Sequence, residues 1–284
     1  MILRNTFFSP AETVSAVADH YEQLDPFYRS VWGEHVHHGL WQTGKEDKSD
    51  AVVALCRLVL ARAEFKAGER VCDVGCGYGA LARMIVNEFG GEVTGFTVSA
   101  AQWKYARALG AGDTRQSFLL RDWLENGLAS GSFDSVVAIE SSEHIEDKKR
   151  FCAEIYRVLR PGGRFAVTAW LSRENPTRLQ SLYLLRPICV EGQLPSMGSA
   201  NEYQELFREA GFHATLFEDL TDRVRRTWTV CIRRFALAIL TEPMLLRRLF
   251  APRLSNRVFA LTILRLWLAY HMRSMRYGIF WGAK

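Results

Sequence analysis

The chain has 284 residues, 48% of them hydrophobic and 24% charged, which is enough to bury one α/β core and to carry additional segments. Its six cysteines show no paired metal-ligand spacing, and three lie within strand or helix patterns, so the sequence argues against a disulfide framework or a structural zinc and favours a reducing, cytoplasmic location. The longest apolar run, Val258–Tyr270, contains Arg265 and is shorter than the ~18–20 residues that a membrane-spanning helix needs, and we expect no signal peptide.

Charge is distributed unevenly along the chain. The net charge is +5, but the segment from Arg223 to Lys284 carries 13 basic residues against the single acid Glu242, a balance of +12. The preceding residues therefore carry −7. A basic tail on an acidic body favours an anionic partner surface or substrate, and solvated helix faces would explain the same residues.

The N-terminal part of the sequence predicts two helices separated by an aromatic and histidine-rich arm. Apolar residues recur at helical spacing over Pro10–Leu24 and again over Asp50–Phe65. Between them, Asp25–Trp41 crowds large apolar side chains and three histidines together. We interpret this arm as a lid over a ligand, the alternative being simple docking of the arm onto the core.

The most informative stretch is Glu69–Ala80, which reads E-R-V-C-D-V-G-C-G-Y-G-A. A short buried strand ends near Asp73 and is followed by glycines at alternate positions, after which Ala80–Phe89 shows helical spacing. A strand, a tight glycine turn and a helix form the opening unit of a nucleotide-cofactor fold. We expect the glycines to be required because a Cβ would hold the cofactor away from the backbone.

Strand and helix patterns then alternate to the end of the chain. A capping box is predicted at Ser99 and Gln102, and Asp147 is predicted to cap a later helix. The further predicted strands are Glu92–Thr97, Gln116–Leu120, Phe133–Ile139, Arg164–Trp170, Phe212–Phe217 and Tyr277–Trp281; the further predicted helices are Ser99–Leu109, Asp147–Leu159, Glu202–Ala210 and Val224–His271, the last interrupted at Pro243 and Pro252.

This alternation predicts an α/β fold with a doubly wound, seven-stranded, mostly parallel sheet. We divide the chain into an N-terminal arm or lid (1–45), an α/β core (46–220), and a helical cap with the final strand (221–284).

Two cofactors compete for the glycine turn. Gly75, Gly77 and Ala80 formally fit the dinucleotide fingerprint, but that fingerprint also requires an acid about 20 residues later for the ribose of NAD. The second strand instead ends Gly95-Phe96-Thr97, without an acid. S-adenosylmethionine has no phosphate, and a carboxylate at Asp73 suits its cationic aminoacyl end.

Four segments taken together resemble class I methyltransferases: V-C-D-V-G-C-G-Y-G, G-F-T-V-S-A-A-Q, R-D-W and L-R-P-G-G-R-F, which span about residues 50–220. Tyr21-Glu22, the arm V-W-G-E-H-V-H-H-G from Val31, Phe133–His144 and Y-G-I-F from Tyr277 narrow the resemblance to the γ-tocopherol and sterol C-methyltransferase branch. A departure is Ser142, where the plant-type motif has glycine, and Ser172–Gly192 matches poorly.

The resemblance implies S-adenosylmethionine as cofactor and a set of contacts to it. Asp73, Gly75, Cys76 and Gly77 would line its methionine portion, Thr97 and Gln102 would meet the ribose, Asp122 would bond the adenine amino group and Trp123 would stack on the ring. Gln102 could instead serve only its capping box, and Trp123 only the core.

The chemistry left to the protein is alignment and removal of a proton from the acceptor. Glu140, Glu143 and His144 follow the fourth strand, at the sheet edge where ligands bind in open α/β folds. By resemblance to E-x-x-E-H enzymes, we expect Glu143 and His144 to form a base pair and Glu140 to position it. A helix-cap acid and a surface histidine are the alternative.

The acceptor pocket is expected to be apolar and closed by the arm. Trp32, His37, His38, Trp170 and Trp228 are its predicted residues, and Trp41, Tyr183, Leu184, Leu185, Pro195 and Met197 lie in the expected lining segments. A phenolic or sterol-like lipid is one acceptor class, with C-methylation favoured and N- or O-methylation of a natural product as an alternative. An isoprenyl diphosphate is another, with phosphate bound by Arg223, Arg225, Arg226, Arg233 or Arg234.

The basic C-terminal helices have two further interpretations. They could rest on an anionic membrane surface, or they could form a buried helical lid. A nucleic-acid methyltransferase is a separate hypothesis that the basic tail suggests. The I-E-S-S-E-H segment and the apolar arm argue against it, so no nucleic-acid partner is expected.

Overall fold

The computed structural model describes residues 3–4, 10–241 and 256–284. The strands are β1 (Leu3–Arg4), β2 (Arg70–Val74), β3 (Glu92–Thr97), β4 (Gln116–Leu120), β5 (Phe133–Ile139), β6 (Leu159–Ser172), β7 (Ser196–Met197), β8 (Thr215–Asp219) and β9 (Met275–Ala283). The predicted helix breaks at Pro243 and Pro252 lie outside the described residues.

The helices alternate with these strands. They are α1 (Pro10–Val31), α2 (Lys48–Arg62), α3 (Ala80–Phe89), α4 (Ala100–Leu109), α5 (Lys148–Val158), α6 (Arg178–Gln180), α7 (Arg186–Glu191), α8 (Ala200–Ala210), α9 (Thr221–Val224), α10 (Arg226–Thr241) and α11 (Asn256–His271). A π-helical segment, Ser181–Leu185, joins α6 to α7, and 3₁₀ turns cover Trp123–Glu125 and Ser142–His144. In the described part of the chain, no helix is both long enough and apolar enough to cross a bilayer.

The central sheet has seven strands in the order β4-β3-β2-β5-β6-β9-β8, and only β9 runs antiparallel to its neighbours. The predicted doubly wound, mostly parallel sheet is therefore confirmed. β2 lies between β3 and β5, so Asp73 is opposite Gly95 on one side and Val137 on the other. Because parallel strands end at one edge, the loops after β2, β3, β4 and β5 meet there.

Alternate residues of the strands pack into two separate hydrophobic cores, one on each face of the sheet. Val71 and Val137 belong to the core that includes α2 and α3, together with residues of α10 and α11. Cys72 and Val136 belong to the other, which α5 and α8 cover. The β5 strand is buried along most of its length, as predicted, and its apolar run Val136–Ile139 follows Asp134 and Ser135.

Several predicted boundaries shift. The first helix continues beyond Leu24 to Val31, so it takes in the Asp25–Val31 part of the predicted arm. β6 begins at Leu159 rather than Arg164, since Leu159 already pairs with Phe133 before the register shifts. The predicted sixth strand starts later, at Thr215. Asp147 does cap α5, accepting from the Arg150 N–H at 2.9 Å.

Candidate active site

A cleft of about 640 Å³ opens at the carboxyl ends of β2 to β5. Its wall includes every residue predicted to contact the cofactor: Asp73, Gly75, Cys76, Gly77, Thr97, Gln102, Asp122 and Trp123. Residues that follow three separate strands thus converge on one cavity, whose volume is in the usual range for ligand sites.

Asp73 is the most distinctive of these residues. It is 2% exposed, and its Oδ2 atom is buried without a hydrogen-bond partner. Burial raises the pKa of this carboxyl to about 7. A buried carboxylate that lacks a partner is destabilising unless a ligand supplies one, so this position fits a cationic group.

The glycines of the turn have different roles. A Cβ on Gly75 would lie 2.3 Å from Ser141 Cβ, and one on Gly79 would lie 2.8 Å from Phe118. Packing within the protein therefore also requires glycine at Gly75 and Gly79, and the predicted contact of Gly75 with the cofactor stays a prediction. At Gly77 a Cβ would meet nothing within 4 Å, and its φ of 53° favours glycine. Gly77 alone among the three leaves open space for a close ligand.

The predicted capping box at the start of α4 does not form. Ser99 Oγ does accept from the Gln102 N–H at 3.2 Å. Gln102 Oε1, however, accepts from the Thr97 hydroxyl at 2.8 Å, and Thr97 Oγ1 takes the Ser99 N–H. Because Thr97 competes for both groups, Thr97 and Gln102 form a buried polar pair on the cleft wall instead.

Asp122 and Trp123 follow β4. Asp122 Oδ1 accepts from the Leu124 N–H at 3.0 Å and so caps the 3₁₀ turn. Trp123 is 3% exposed, packs edge-on against Phe96 and also borders the cleft. Trp123 therefore belongs both to the hydrophobic core and to the wall of the cleft.

A second cavity of about 90 Å³ lies behind the cleft, and it is lined by all five predicted acceptor-pocket residues: Trp32, His37, His38, Trp170 and Trp228. His38 is 1% exposed, and its ring lies 4.9 to 5.5 Å, centre to centre, from the rings of Trp170, Trp228, Tyr270 and Tyr277. Its Nε2 atom is buried without a hydrogen-bond partner.

Glu140 anchors the floor of this second cavity. Its carboxylate accepts from the backbone N–H of His38 at 2.7 Å, from His38 Nδ1 at 3.0 Å, from Tyr277 OH at 2.8 Å and from Trp170 Nε1 at 2.8 Å. Burial alone would raise the pKa of Glu140, but the charges of His38 and His37 and the hydrogen bonds from His38 lower it to about 2. Its φ of 51° is a left-handed conformation that a side chain rarely adopts, and these four donors hold it there.

Glu143 and His144 are not hydrogen-bonded to one another, since the two side chains have separate partners, and their predicted role as a base stays a prediction. Glu143 accepts from the backbone N–H of Trp170 and from Ser142 Oγ, and burial, then the charge of Glu140, raises its pKa to about 8. His144 Nε2 lies 3.1 Å from Tyr21 OH, and its Nδ1 lies 3.4 Å from the Gln193 carbonyl. Burial lowers the pKa of His144 to about 4.

Two contacts of α1 were missed by sequence reasoning. Tyr21 reaches His144 at the boundary between the cleft and the second cavity. Glu22 Oε1 accepts from Ser99 Oγ and from the Ala101 N–H, both at 2.8 Å, and so caps α4. In the sequence, Tyr21-Glu22 was noted only as one of the segments that match the family. No function was assigned to either residue.

The predicted phosphate-binding arginines do not line either cavity. Arg223 pairs with Glu218 at 3.1 Å, Arg225 with Asp222 at 3.5 Å, and Arg226 lies over the Trp41 ring. Arg233 and Arg234 are exposed. Of the other expected lining residues, Pro195 borders the cleft, Tyr183 is 64% exposed, and Trp41, Leu184, Leu185 and Met197 are buried in the core.

Comparison with known proteins places the chain in a family. Residues 8–238 match the family model described as mycolic acid cyclopropane synthetase. The chain belongs to this family. It is an S-adenosylmethionine-dependent methyltransferase, as its curated relatives are methyltransferases by name.

Three relatives and one solved structure illustrate the range of the family. The chain is 30% identical to a probable tocopherol O-methyltransferase of Oryza sativa subsp. japonica (79% of this chain, 67% of the relative) and 34% to O-methyltransferase resE of Aspergillus sclerotiorum (75% and 81%). It is 32% identical to a sterol 24-C-methyltransferase of Eremothecium gossypii (72% and 56%). The crystal structure of the [4+2]-cyclase SpnF is 26% identical, with a TM-score of 0.78 over 94% of each chain.

The described residues fit the cofactor of this family. The partnerless carboxylate oxygen of Asp73 suits its ammonium group, and Gly77 leaves room for its close approach. The end of β3 offers Thr97 and buried Gln102, without the acid that NAD requires. The match to a cyclase shows that the same fold also supports another activity, so the fold alone does not identify the acceptor. The residues of the second cavity carry that information.

Proposed function

We propose that this methyltransferase methylates a small, largely apolar acceptor that carries a hydroxyl group, and that it does so at carbon. The observation that carries this proposal is His38 Nε2, a buried nitrogen without a partner in an aromatic cavity directly behind the cofactor cleft. Because the ionised Glu140 can only accept, His38 Nδ1 must carry the hydrogen between them. When the imidazole carries only that hydrogen, its lone pair at Nε2 is open to donation from an acceptor hydroxyl.

The proposed reaction needs little else from the protein. Asp73, Gly77, Thr97 and Gln102 would hold S-adenosylmethionine, which would supply an electrophilic sulfonium methyl. His38 Nε2 takes the hydroxyl proton of a phenol and so makes the ring carbons beside that oxygen more nucleophilic. The carbon gains the methyl as the methyl–sulfur bond breaks, with its electron pair left on sulfur. That carbon then releases its own hydrogen as a proton to solvent, and the phenolic oxygen regains the proton that His38 holds.

Carbon is the favoured site of methylation because the acceptor oxygen would be hydrogen-bonded to His38 Nε2. The neighbouring ring carbon is then the atom left to face the cleft. In this proposal Glu140 positions His38, Glu143 stays protonated at neutral pH, and His144 with Tyr21 closes the junction between the two cavities. The tocopherol and sterol activities named for the relatives agree in substrate class.

A diphosphate acceptor is less well supported. None of the five arginines predicted to bind phosphate borders either cavity, and three of them have acidic or aromatic partners. The aromatic walls of the second cavity instead favour a phenolic ring or an isoprenoid chain.

Methylation assays with a deuterated methyl donor test the reaction. Prenylated hydroquinone, a sterol alkene and geranyl diphosphate are compared, and NMR of the product locates the methyl group. We expect C-methylation of the hydroquinone, and loss of turnover by about a hundredfold or more in His38→Gln. His213→Gln, at an exposed histidine, is the matched control. A product methylated at oxygen, or full activity of His38→Gln, would overturn the proposal.

We also propose that an apolar face brings the enzyme to the anionic lipid surface in which such acceptors dissolve. Leu179, Leu182 and Tyr183 are 68%, 45% and 64% exposed, and exposed Leu264 and Leu268 lie on α11, which packs against the π-helical segment and α7. Exposed Arg178 and Arg186 flank the same stretch, which suits anionic headgroups.

Sedimentation with vesicles containing phosphatidylserine tests this surface. We expect binding that weakens with salt and is lost in the double variant Leu182→Glu, Tyr183→Glu, whereas Leu109→Glu, at an equally exposed leucine elsewhere, keeps it. Absence of binding by the unaltered protein would remove the membrane proposal and leave the methyl-transfer proposal intact. The cytoplasmic location remains a prediction; two tocopherol methyltransferase relatives are named chloroplastic.

A further inference from the structure

Three donor atoms converge beside the cofactor cleft, outside the groups used above for proton transfer. His35 Nδ1 lies 3.2 Å from His37 Nε2, and Cys56 Sγ lies 3.7 Å and 3.5 Å from these two nitrogens. The histidines come from the arm and the cysteine from α2, so the group, here the His35–His37–Cys56 cluster, joins the arm to the core.

These separations match those around a tetrahedral ion. Zinc bonds of 2.0–2.1 Å to nitrogen and 2.3 Å to sulfur place two nitrogens about 3.3 Å apart and nitrogen and sulfur about 3.5 Å apart. All three distances in the cluster agree within about 0.2 Å, the tolerance expected of a metal site. One ion could therefore reach the three donors with little movement.

The hydrogen bond behind His37 orients it for metal binding. His37 Nδ1 lies 2.8 Å from the His38 carbonyl oxygen, which can only accept, so Nδ1 carries the hydrogen and Nε2 faces the cluster with a lone pair. A backbone carbonyl behind a ligating histidine is the usual support of a metal ligand.

Hydrogen bonds within the cluster do not pair every donor hydrogen with a lone pair of its own. If His35 Nδ1 carries a hydrogen, that N–H and the Cys56 thiol both compete for the single lone pair of His37. If His35 Nδ1 does not, two nitrogen lone pairs face each other at 3.2 Å. An ion that accepts all three lone pairs removes this conflict.

We propose that the His35–His37–Cys56 cluster binds a zinc-class divalent cation. Binding releases the thiol proton to solvent, and the three bonds form from the two imidazole nitrogens and the thiolate. Cys56 is fully buried, whereas both histidines border the cleft, so the fourth position faces the cleft and takes water or an oxygen of a bound molecule. The ion ties the arm to α2.

Cobalt titration of chelator-treated protein tests the site. We expect one equivalent of Co²⁺ to produce thiolate-to-cobalt charge-transfer absorption and the strong d–d bands of a tetrahedral site, both removed by Zn²⁺. Elemental analysis of zinc-dialysed protein should give one zinc per chain. These readouts do not depend on methyl transfer, so they can fail while the proposed function stands.

Two cysteine variants locate the ion. Cys56→Ser should lose the charge-transfer absorption, because no thiolate remains, while its circular dichroism stays unchanged. Cys152→Ser, at another fully buried cysteine outside the cluster, should keep it. No absorption in the unaltered protein, retention of the band in Cys56→Ser, or its equal loss in Cys152→Ser would overturn the proposal.

Discussion

Glu140 and Glu143 are three residues apart, yet their surroundings leave one ionised and the other mostly neutral at pH 7. Glu140 accepts from three side chains and one backbone N–H, and its pKa is lowered to about 2. Glu143 is buried beside that charge, and its pKa is raised to about 8. At neutral pH the first is an anion and the second is mostly a neutral acid.

Glutamine substitutions separate the two residues. Glu140→Gln places an amide N–H against donors, and we expect it to cost about 1–3 kcal/mol of unfolding free energy and most of the turnover. Glu143→Gln replaces a neutral acid by a neutral amide and should change stability by less than about 1 kcal/mol at neutral pH. Urea denaturation and single-turnover assays measure both. Equal losses in the two variants would contradict these charge states.

Asp73 should make cofactor binding depend on pH. Its carboxyl has a pKa raised to about 7 by burial and must be ionised to pair with the ammonium group of the cofactor. Below pH 7, affinity should fall about tenfold per pH unit, and at alkaline pH it should fall again once the α-amino group of the ligand deprotonates. Calorimetry with S-adenosylhomocysteine over this range measures the profile.

Asp73→Asn is the control for this profile. It should bind the ligand weakly and lose the acid limb while keeping the alkaline one. An acid limb that persists in Asp73→Asn would assign the titration to another group.

Among the elements, α1 is tied directly to the cofactor site. Glu22 caps α4, whose first turn holds Gln102, and Asp25 accepts from Tyr78 OH at 2.7 Å in the glycine turn. Glu22→Ala should therefore destabilise the protein by about 1 kcal/mol and weaken S-adenosylhomocysteine binding several-fold. Thermal unfolding and calorimetry measure the two effects. Gln23→Ala, at the exposed neighbour, should leave binding unchanged; an equal loss there would show that the cap is irrelevant.

The elements predicted correctly are those with a local pattern. The β5 strand, the glycine turn and the Asp147 cap each depend on residues close together in the chain, and Asp73 is the carboxylate near the end of a short buried strand. The capping box at Ser99 was wrong because Thr97, outside the motif, competes for its groups.

For a different reason, the contact between Glu143 and His144 does not form. The His38–Glu140 contact depends on a left-handed residue after β5 and on the position of β9 in the sheet, which supplies Tyr277. The His35–His37–Cys56 cluster was missed because the cysteines were compared only with one another. Neither arrangement has a signal in spacing along the chain.

At the scale of the whole molecule, the arm, the core and the helices before β9 close around one ligand site. Ligand binding should therefore stabilise the whole fold, since a ligand that binds only the folded state adds about 2.7 kcal/mol at a hundred times its Kd. For a chain of this size that corresponds to a rise in Tm of about 5 °C. Differential scanning fluorimetry with S-adenosylhomocysteine should show it, and NAD at the same concentration should show none.

Hydrogen exchange would show where that stabilisation acts. Because Tyr21, Glu22 and Asp25 bond to loops around the cleft, amides in the middle of α1 should exchange more slowly when S-adenosylhomocysteine is bound, together with those of the glycine turn. Amides of β8, at the far edge of the sheet, serve as the internal reference. Slower exchange in the glycine turn without any change in α1 would mean that the arm does not respond to the cofactor, and its role as a lid would then be limited to the acceptor.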